Sequence, residues 1–86
     1  MPRVHIVEDD SEISDLLSTY LSGRGFDCRV SASAEAAQEL APQEFDIYVI
    51  DVMLPGQDGL SLCRWLRERS EVPVIILSAI KGDTER

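Results

Sequence analysis

The apolar residues of this 86-residue chain switch repeatedly between two spacings. Short, nearly continuous apolar runs are typical of strands buried on both faces, and they alternate with segments whose apolar residues recur at every third or fourth position, as on one face of a helix. The pattern predicts strands at 4–7, 26–30, 45–50 and 72–77, with a helix between each pair. Because parallel strands need crossover connections, this order predicts an α/β domain whose parallel sheet carries helices on both faces.

Capping and stop signals mark the ends of the predicted helices. Ser11 and Ser33 are predicted N-caps, because a serine hydroxyl can accept an N–H of the first turn. The first helix has an apolar face expected to pack on the sheet, formed by Ile13, Leu16, Leu17, Tyr20 and Leu21. Gly23 and Gly25 predict its end, and the second helix should reach about residue 40. The third is predicted over 59–69, with Leu62, Cys63 and Leu66 facing inward.

Charge and composition exclude several classes of function. Hydrophobic residues make up 44% of the chain, enough for a core, and the net charge is −8, from 8 basic and 16 acidic residues. That balance argues against direct nucleic-acid binding, which needs a basic surface. No apolar run approaches the length of a membrane span, and no secretory signal is recognisable. Cys28 and Cys63 lie far apart in sequence, as expected for free thiols in a reducing cytoplasm.

Polar side chains follow three of the four predicted strands. Glu8, Asp9 and Asp10 come after the first strand, Asp51 after the third and Ser78 after the fourth. Because the carboxyl ends of parallel strands meet at one edge of a sheet, these side chains are expected to converge. Taken singly, the acids could cap a helix or form a turn, and the serine could be a loop hydroxyl.

Together they would suit phosphoryl chemistry. Clustered carboxylates repel one another unless a cation intervenes, and Mg²⁺ prefers such oxygen ligands. Asp51 could then act as an oxygen nucleophile, with the Ser78 hydroxyl donating to a phosphoryl oxygen. The arrangement predicts a site that accepts a phosphoryl group.

Three segments carry a family resemblance: 6–10 (IVEDD), 46–59 (DIYVIDVMLPGQDG) and 73–79 (PVIILSA). With these motifs the chain, from its first residue to the start of a fourth helix, resembles the receiver domain of two-component response regulators. The resemblance implies a flavodoxin-like, doubly wound parallel sheet of strand order 2-1-3-4. In the family a fifth strand with a lysine follows; the sequence ends at Arg86, so that strand and the last helices are missing from it. We therefore expect residues 1–86 to be an incomplete receiver domain.

The resemblance also implies roles for individual residues. Asp51 would be the phosphoacceptor, and Glu8 and Asp9 would be the acidic pair, with Asp9 the direct Mg²⁺ ligand. Met53 would offer its backbone carbonyl to the metal, and Ser78 would be the switch hydroxyl. The donor implied is a phosphohistidine of a sensor histidine kinase. Segment 54–64 resembles receivers joined to DNA-binding transcription factors, so an output domain outside this chain is expected.

The missing strand bears on two features of the chain, the edge of the sheet and Lys81. Without it, the apolar fourth strand would form an open edge, which favours either self-association as a homodimer or a longer parent protein. Lys81 lies in the loop after that strand, and nothing in the family pattern lets it replace the missing lysine.

Other classes of function remain as alternatives. An aspartate-nucleophile phosphatase needs a second acid two residues after the nucleophile, where this chain has Met53, and a nucleotide-binding half-domain needs a glycine-rich turn in place of Glu8–Asp10. A receiver-like interaction module, or an incomplete fragment, that never accepts phosphate is a further interpretation. The chain is not expected to be a classical enzyme; self-catalysed phosphorylation and dephosphorylation of Asp51 are the most it would perform.

Overall fold

Strands and helices alternate along the chain in the predicted order. The computed structural model describes residues 1–54 and 56–77. Its strands are Arg3–Val7 (β1), Asp27–Ser31 (β2), Ile47–Ile50 (β3) and Val74–Ile76 (β4). Its helices are Ser11–Gly23 (α1), Ala34–Ala37 (α2) and Gly59–Arg67 (α3), with a 3₁₀ turn at Pro42–Glu44 before β3. The predicted start of a fourth helix lies outside the described residues.

The four strands form one parallel sheet of order β2-β1-β3-β4, which confirms the predicted 2-1-3-4 topology. The last residue of β1, Val7, pairs with Ser31 of β2 and with Ile50 of β3, and Ile50 pairs with Ile76 of β4. All four carboxyl ends therefore reach one edge of the sheet at the same level. Residues that follow the strands begin there side by side.

The core has two layers, one on each face of the sheet. One layer contains residues from β1, β3, α2, α3 and the segments that adjoin the strands and α3, namely Val7, Ala34, Ala37, Phe45, Tyr48, Ile50, Leu54, Leu62, Leu66 and Val72. The other contains Val4, Ile6 and Val49, with Leu17 and Leu21 of α1 packed against them. Successive residues of a strand point to opposite faces, so β1 supplies both layers. Helix α1 thus covers one face, and α2 and α3 cover the other.

Helix α1 packs on the sheet through a narrower face than its sequence pattern predicts. Leu17 and Leu21 contact the core and Ser14 is buried, whereas Leu16 and Tyr20 are 70% and 57% exposed. The five apolar residues span a wide arc of the helix, and the sheet contacts only one side of that arc. The prediction that Leu16 and Tyr20 belong to the core is wrong for the described structure.

Helix caps follow the predicted chemistry with one change of residue. The N-cap of α1 is Asp10, whose Oδ1 accepts the N–H groups of Glu12 and Ile13 at 2.9 and 3.4 Å, so the prediction of Ser11 is wrong by one position. Ser33 caps α2 as predicted, with its Oγ 3.1 Å from the N of Ala36. A carboxylate at position 10 is also favoured by the positive end of the helix dipole.

Helix α2 and strands β3 and β4 are shorter than predicted. Helix α2 ends at Ala37, because the N–H groups of Glu39 and Leu40 bond to carbonyls three residues back, those of Ala36 and Ala37, in place of the α-helical pattern. Strand β4 has three residues, since Pro73 has no N–H to pair, although its carbonyl accepts the Tyr48 N–H at 2.9 Å. In the described chain, β4 pairs with β3 alone, and Ile75 and Ile76 are 50% and 40% exposed. None of the described helices is both long and apolar enough to span a membrane.

Candidate functional site

Three carboxylates gather at the carboxyl edge of the sheet. Glu8 and Asp9 follow β1, Asp51 follows β3, and one oxygen of each lies within 4.8 Å of the others. Glu8 and Asp51 are buried, while Asp9 is exposed. The predicted convergence of Glu8, Asp9 and Asp51 is therefore present in the structure.

Backbone hydrogen bonds between neighbouring strands hold these residues together. The Asp51 N–H donates to the Val7 carbonyl at 3.0 Å, and the Glu8 N–H donates to the Ser31 carbonyl at 3.0 Å. The hydrogen bonding of the parallel sheet therefore continues one residue past β1, to Glu8, and one residue past β3, to Asp51. The position of Asp51 beside Glu8 is fixed by main-chain atoms, and side-chain substitutions there should leave it in place.

A histidine under the site supports the end of β2. His5 is fully buried, stacks obliquely on Phe45 and Tyr48 with ring centroids 4.5 and 4.8 Å away, and its Nε2 lies 2.7 Å from the Ser31 Oγ. Burial, with a smaller contribution from the charge of Arg29, lowers the pKa of His5 to about 4. The imidazole is therefore neutral at pH 7. Its hydrogen bond holds Ser31, the residue whose carbonyl accepts the Glu8 N–H.

The carboxylate of the third acid after β1, Asp10, caps the helix and is not part of the cluster. Its carboxylate caps α1, and its backbone N–H donates to the Glu8 Oε2 at 3.0 Å. Glu8, Asp9 and Asp51 form the carboxylate cluster without it. Asp10 thus orients the Glu8 carboxylate through its own main chain, a role that the sequence analysis did not foresee.

The loop that leads from Asp51 into α3 is described at residues 52–54 and 56–58. The Asp51 Oδ1 accepts the Met53 N–H at 2.9 Å, which turns the main chain of residue 53 toward the carboxylate, while the Met53 side chain is 63% exposed. Leu54 is buried in the core layer beneath α2 and α3. The backbone of Met53 therefore lies next to the Asp51 carboxylate, as its predicted role in metal binding requires.

Helix α3 starts in close contact with the end of β3. The Gly59 N–H donates to the Val52 carbonyl at 3.1 Å, and a Cβ at position 59 would lie 2.4 Å from the Asp51 carbonyl oxygen. Asp58 caps the helix by accepting the Ser61 N–H at 2.8 Å, and this hydrogen bond lowers the pKa of Asp58. The sequence predicts Gly59 as the first residue of α3. The requirement for a residue without a β-carbon there follows from the approach of the Asp51 and Val52 main chain.

Ser78 and Lys81 lie outside the described residues, so the predicted switch role of Ser78 stays a prediction, as does the expectation that Lys81 does not replace the missing lysine. The last described residue, Leu77, donates its N–H to the Ile50 carbonyl at 3.0 Å. The chain therefore reaches position 77 beside the residue that precedes Asp51.

The carboxylate cluster fits a small hard cation. Three carboxylates that approach within 4.8 Å, two of them buried, repel one another in a region of reduced dielectric constant. Oxygen donors of this kind are those that Mg²⁺ takes, and it often uses few protein ligands and keeps its waters. A four-stranded parallel sheet with helices on both faces and an acidic cluster at the carboxyl ends of its two central strands defines the class of protein to which the described chain belongs.

Comparison with known proteins places the chain within that class. A family model described as the response regulator receiver domain matches residues 4–86, so the chain belongs to the response regulator receiver family. It is 45% identical over 85 residues to the transcriptional regulatory protein GltR of Pseudomonas aeruginosa, covering 94% of this chain and 35% of GltR. It is 41% identical over 86 residues to the DNA-binding response regulator MtrA of Mycolicibacterium smegmatis, covering 95% of this chain and 36% of MtrA. The chain thus spans about a third of these relatives.

Solved structures agree with this assignment. The fold matches the non-phosphorylated HemR receiver domain of Leptospira biflexa with a TM-score of 0.88 and 28% identity, over 100% of this chain and 71% of that one. It matches the BeF₃-activated RstA receiver domain of Klebsiella pneumoniae with a TM-score of 0.85 and 34% identity, over 96% and 72% of the two chains. The doubly wound fold predicted from the sequence is therefore confirmed.

Proposed function

We propose that Asp51 accepts a phosphoryl group from a phosphohistidine of a sensor histidine kinase. The observation that carries the proposal is the buried Asp51 carboxylate at the end of a central strand, next to Glu8 and Asp9. A carboxylate oxygen of Asp51 attacks phosphorus, an O–P bond forms, and the P–N bond to the donor imidazole breaks. The imidazole nitrogen takes up a proton, and Asp51 becomes an acyl phosphate.

The same residues are proposed to hold Mg²⁺. Glu8, Asp9 and Asp51 would supply carboxylate oxygens, with Asp9 the direct ligand of the acidic pair, and Met53 would supply its backbone carbonyl. Mg²⁺, when bound, supplies positive charge that offsets the carboxylates and the phosphoryl oxygens. The chain itself fixes the ligands, because Glu8 is oriented by the Asp10 N–H and Met53 by its hydrogen bond to Asp51.

Switching is proposed to involve Ser78. Its hydroxyl would donate to a phosphoryl oxygen on Asp51. The support is that Leu77, the residue before Ser78, donates its N–H to the carbonyl of Ile50, the residue before Asp51. The partners proposed are the kinase and an output domain that binds DNA, as the names of GltR and MtrA suggest. The setting proposed is the cytoplasm, where the free thiols of Cys28 and Cys63 would stay reduced.

A further proposal concerns the outer edge of β4. Ile75 and Ile76 are half exposed, and β4 pairs with β3 alone within the described residues. An apolar edge strand can add a strand from another molecule. We propose that the 86-residue chain associates with a second copy along this edge.

Phosphorylation with a small-molecule phosphodonor tests the main proposal. The chain is incubated with the donor and Mg²⁺ and its intact mass is recorded, with Asp51→Asn and Asp58→Asn as matched variants and a chelator as a further control. We expect the mass of one phosphoryl group on the wild type and on Asp58→Asn, and none on Asp51→Asn or in chelator. An unmodified wild-type chain would favour a receiver-like interaction module instead.

A further inference from the structure

Helix α2 reaches the loop that follows Asp51 through one carboxylate. The Glu35 Oε2 accepts the Gln57 N–H at 3.4 Å, across 22 positions of sequence. A Cβ at Gly56 would lie 3.4 Å from the same oxygen, so the carboxylate sits against the main chain of the loop. The contact therefore joins the first turn of α2 to the middle of residues 52–58.

The helix that carries Glu35 is firmly placed. Ala34 and Ala37, on either side of Glu35 in sequence, are buried in the same core layer as Leu54 of the loop. Ser33 caps the first turn through its Oγ. Because α2 and Leu54 share one core layer, the backbone that carries Glu35 is fixed. Its carboxylate contacts Gly56 and Gln57, which are not buried.

The loop needs such support at its middle. At its start, the Met53 N–H donates a hydrogen bond to the Asp51 carboxylate. At its end, the Asp58 side chain caps α3, and Gly59 lies in tight contact with the main chain that follows β3. Between them, Gly56 has a φ of +71°, a left-handed backbone conformation that favours glycine. The Gln57 N–H follows directly, so its hydrogen bond to Glu35 holds this part of the loop against α2.

We infer that Glu35 is a positioning residue that holds the loop after Asp51 so that the main chain of Met53 stays next to the carboxylate cluster. The inference rests on the proposed function, since it concerns the cation and phosphoryl site proposed above. Loss of the Glu35 carboxylate would let the main chain of Gly56 and Gln57 move, and Met53 would then be held only by its hydrogen bond to Asp51 and by the buried Leu54 next to it. The cation would then bind more weakly, while the sheet and both core layers would stay intact.

Three variants of the full chain test this role. Glu35→Ala removes the acceptor, Glu35→Gln keeps an acceptor oxygen, and Glu39→Ala removes an exposed carboxylate four residues further on. Each is examined for the ¹H–¹⁵N resonance of the Gln57 amide and for the Mg²⁺ concentration that gives half the maximal rate of phosphorylation by a small-molecule donor.

We expect Glu35→Ala to shift the Gln57 amide resonance and to raise the half-saturating Mg²⁺ concentration about three- to tenfold, the usual effect of losing one hydrogen bond. Glu35→Gln should stay within about twofold of the wild type, and Glu39→Ala should match it. An unchanged Mg²⁺ requirement in Glu35→Ala, or equal losses in Glu35→Ala and Glu35→Gln, would overturn the inference. If the wild type accepts no phosphate, the proposed function fails, and the Gln57 resonance still decides whether Glu35 holds the loop.

Discussion

A β-carbon at position 59 would lie 2.4 Å from the Asp51 carbonyl oxygen and 2.8 Å from the Val52 Cα, both main-chain atoms that cannot rotate away. At the residue scale we therefore predict that Gly59→Ala displaces α3 from the end of β3. The expected loss is about 1–3 kcal/mol of unfolding free energy, as for other overpacked sites, measured by urea denaturation.

Gly23 provides the matched control for that substitution. It is the last residue of α1, and a β-carbon there meets nothing within 4 Å. Gly23→Ala should leave stability equal or raise it by up to about 1 kcal/mol, because alanine loses less entropy on folding. Equal effects of the two substitutions would contradict the steric account of position 59.

The buried His5 gives stability a pH dependence. In the folded chain its pKa is about 4, against 6.5 in the unfolded chain, so the unfolded state binds the proton first as the pH falls. Stability should be fully present above pH 6.5 and should decline as the pH falls toward 4, by about 3 kcal/mol for this group. His5 is the single histidine of the chain, so the slope from pH 6.5 to 5 reports on it.

His5→Gln serves as the comparison, since an amide can keep the hydrogen bond to the Ser31 Oγ and does not titrate. Denaturant unfolding of both proteins at several pH values measures the difference. A wild type with the same slope as His5→Gln between pH 5 and 6.5 would show that the imidazole is accessible to protons in the folded state.

At the scale of elements, the N-cap of α1 differs between the structure and the prediction from the sequence. Asp10 accepts two N–H groups of the first turn, whereas Ser11 is the first residue of the helix and is exposed. Asp10→Ala should therefore cost about 1 kcal/mol of unfolding free energy, and Ser11→Ala should change it by less than about 0.5 kcal/mol. Thermal or urea unfolding measures both, and the reverse order of effects would restore Ser11 as the cap.

The elements show which parts of the fold local sequence can specify. The alternation of strands and helices and the meeting of Glu8, Asp9 and Asp51 follow from a change of period and a topological rule, so they were predictable. The strand order was implied only by the resemblance to receiver domains. The exposed side of α1 was not predictable, because the same periodic pattern fits a wide or a narrow contact with the sheet. The contact of Glu35 with Gln57 joins residues 22 positions apart and depends on the backbone conformation of Gly56, which no local pattern encodes.

At the scale of the whole molecule, the outer edge of β4 leads to a prediction about assembly. Sedimentation of the 86-residue chain should show self-association at high micromolar concentration, because Ile75 is half exposed on an edge strand. Ile75→Lys should weaken this association, since a charged edge resists strand addition, whereas Leu16→Lys on exposed α1 should not. A wild-type monomer at that concentration would contradict the proposal for this edge.

The central claim is that Asp51 carries the phosphoryl group. Reductive trapping tests it most directly: the phosphorylated chain is treated with borohydride, which reduces an aspartyl phosphate to homoserine, and its peptides are sequenced by mass spectrometry. We expect homoserine at position 51 in the wild type and at no position in Asp51→Asn. Homoserine at position 9, 10 or 58, or a phosphate that survives acid and resists hydroxylamine, would contradict it.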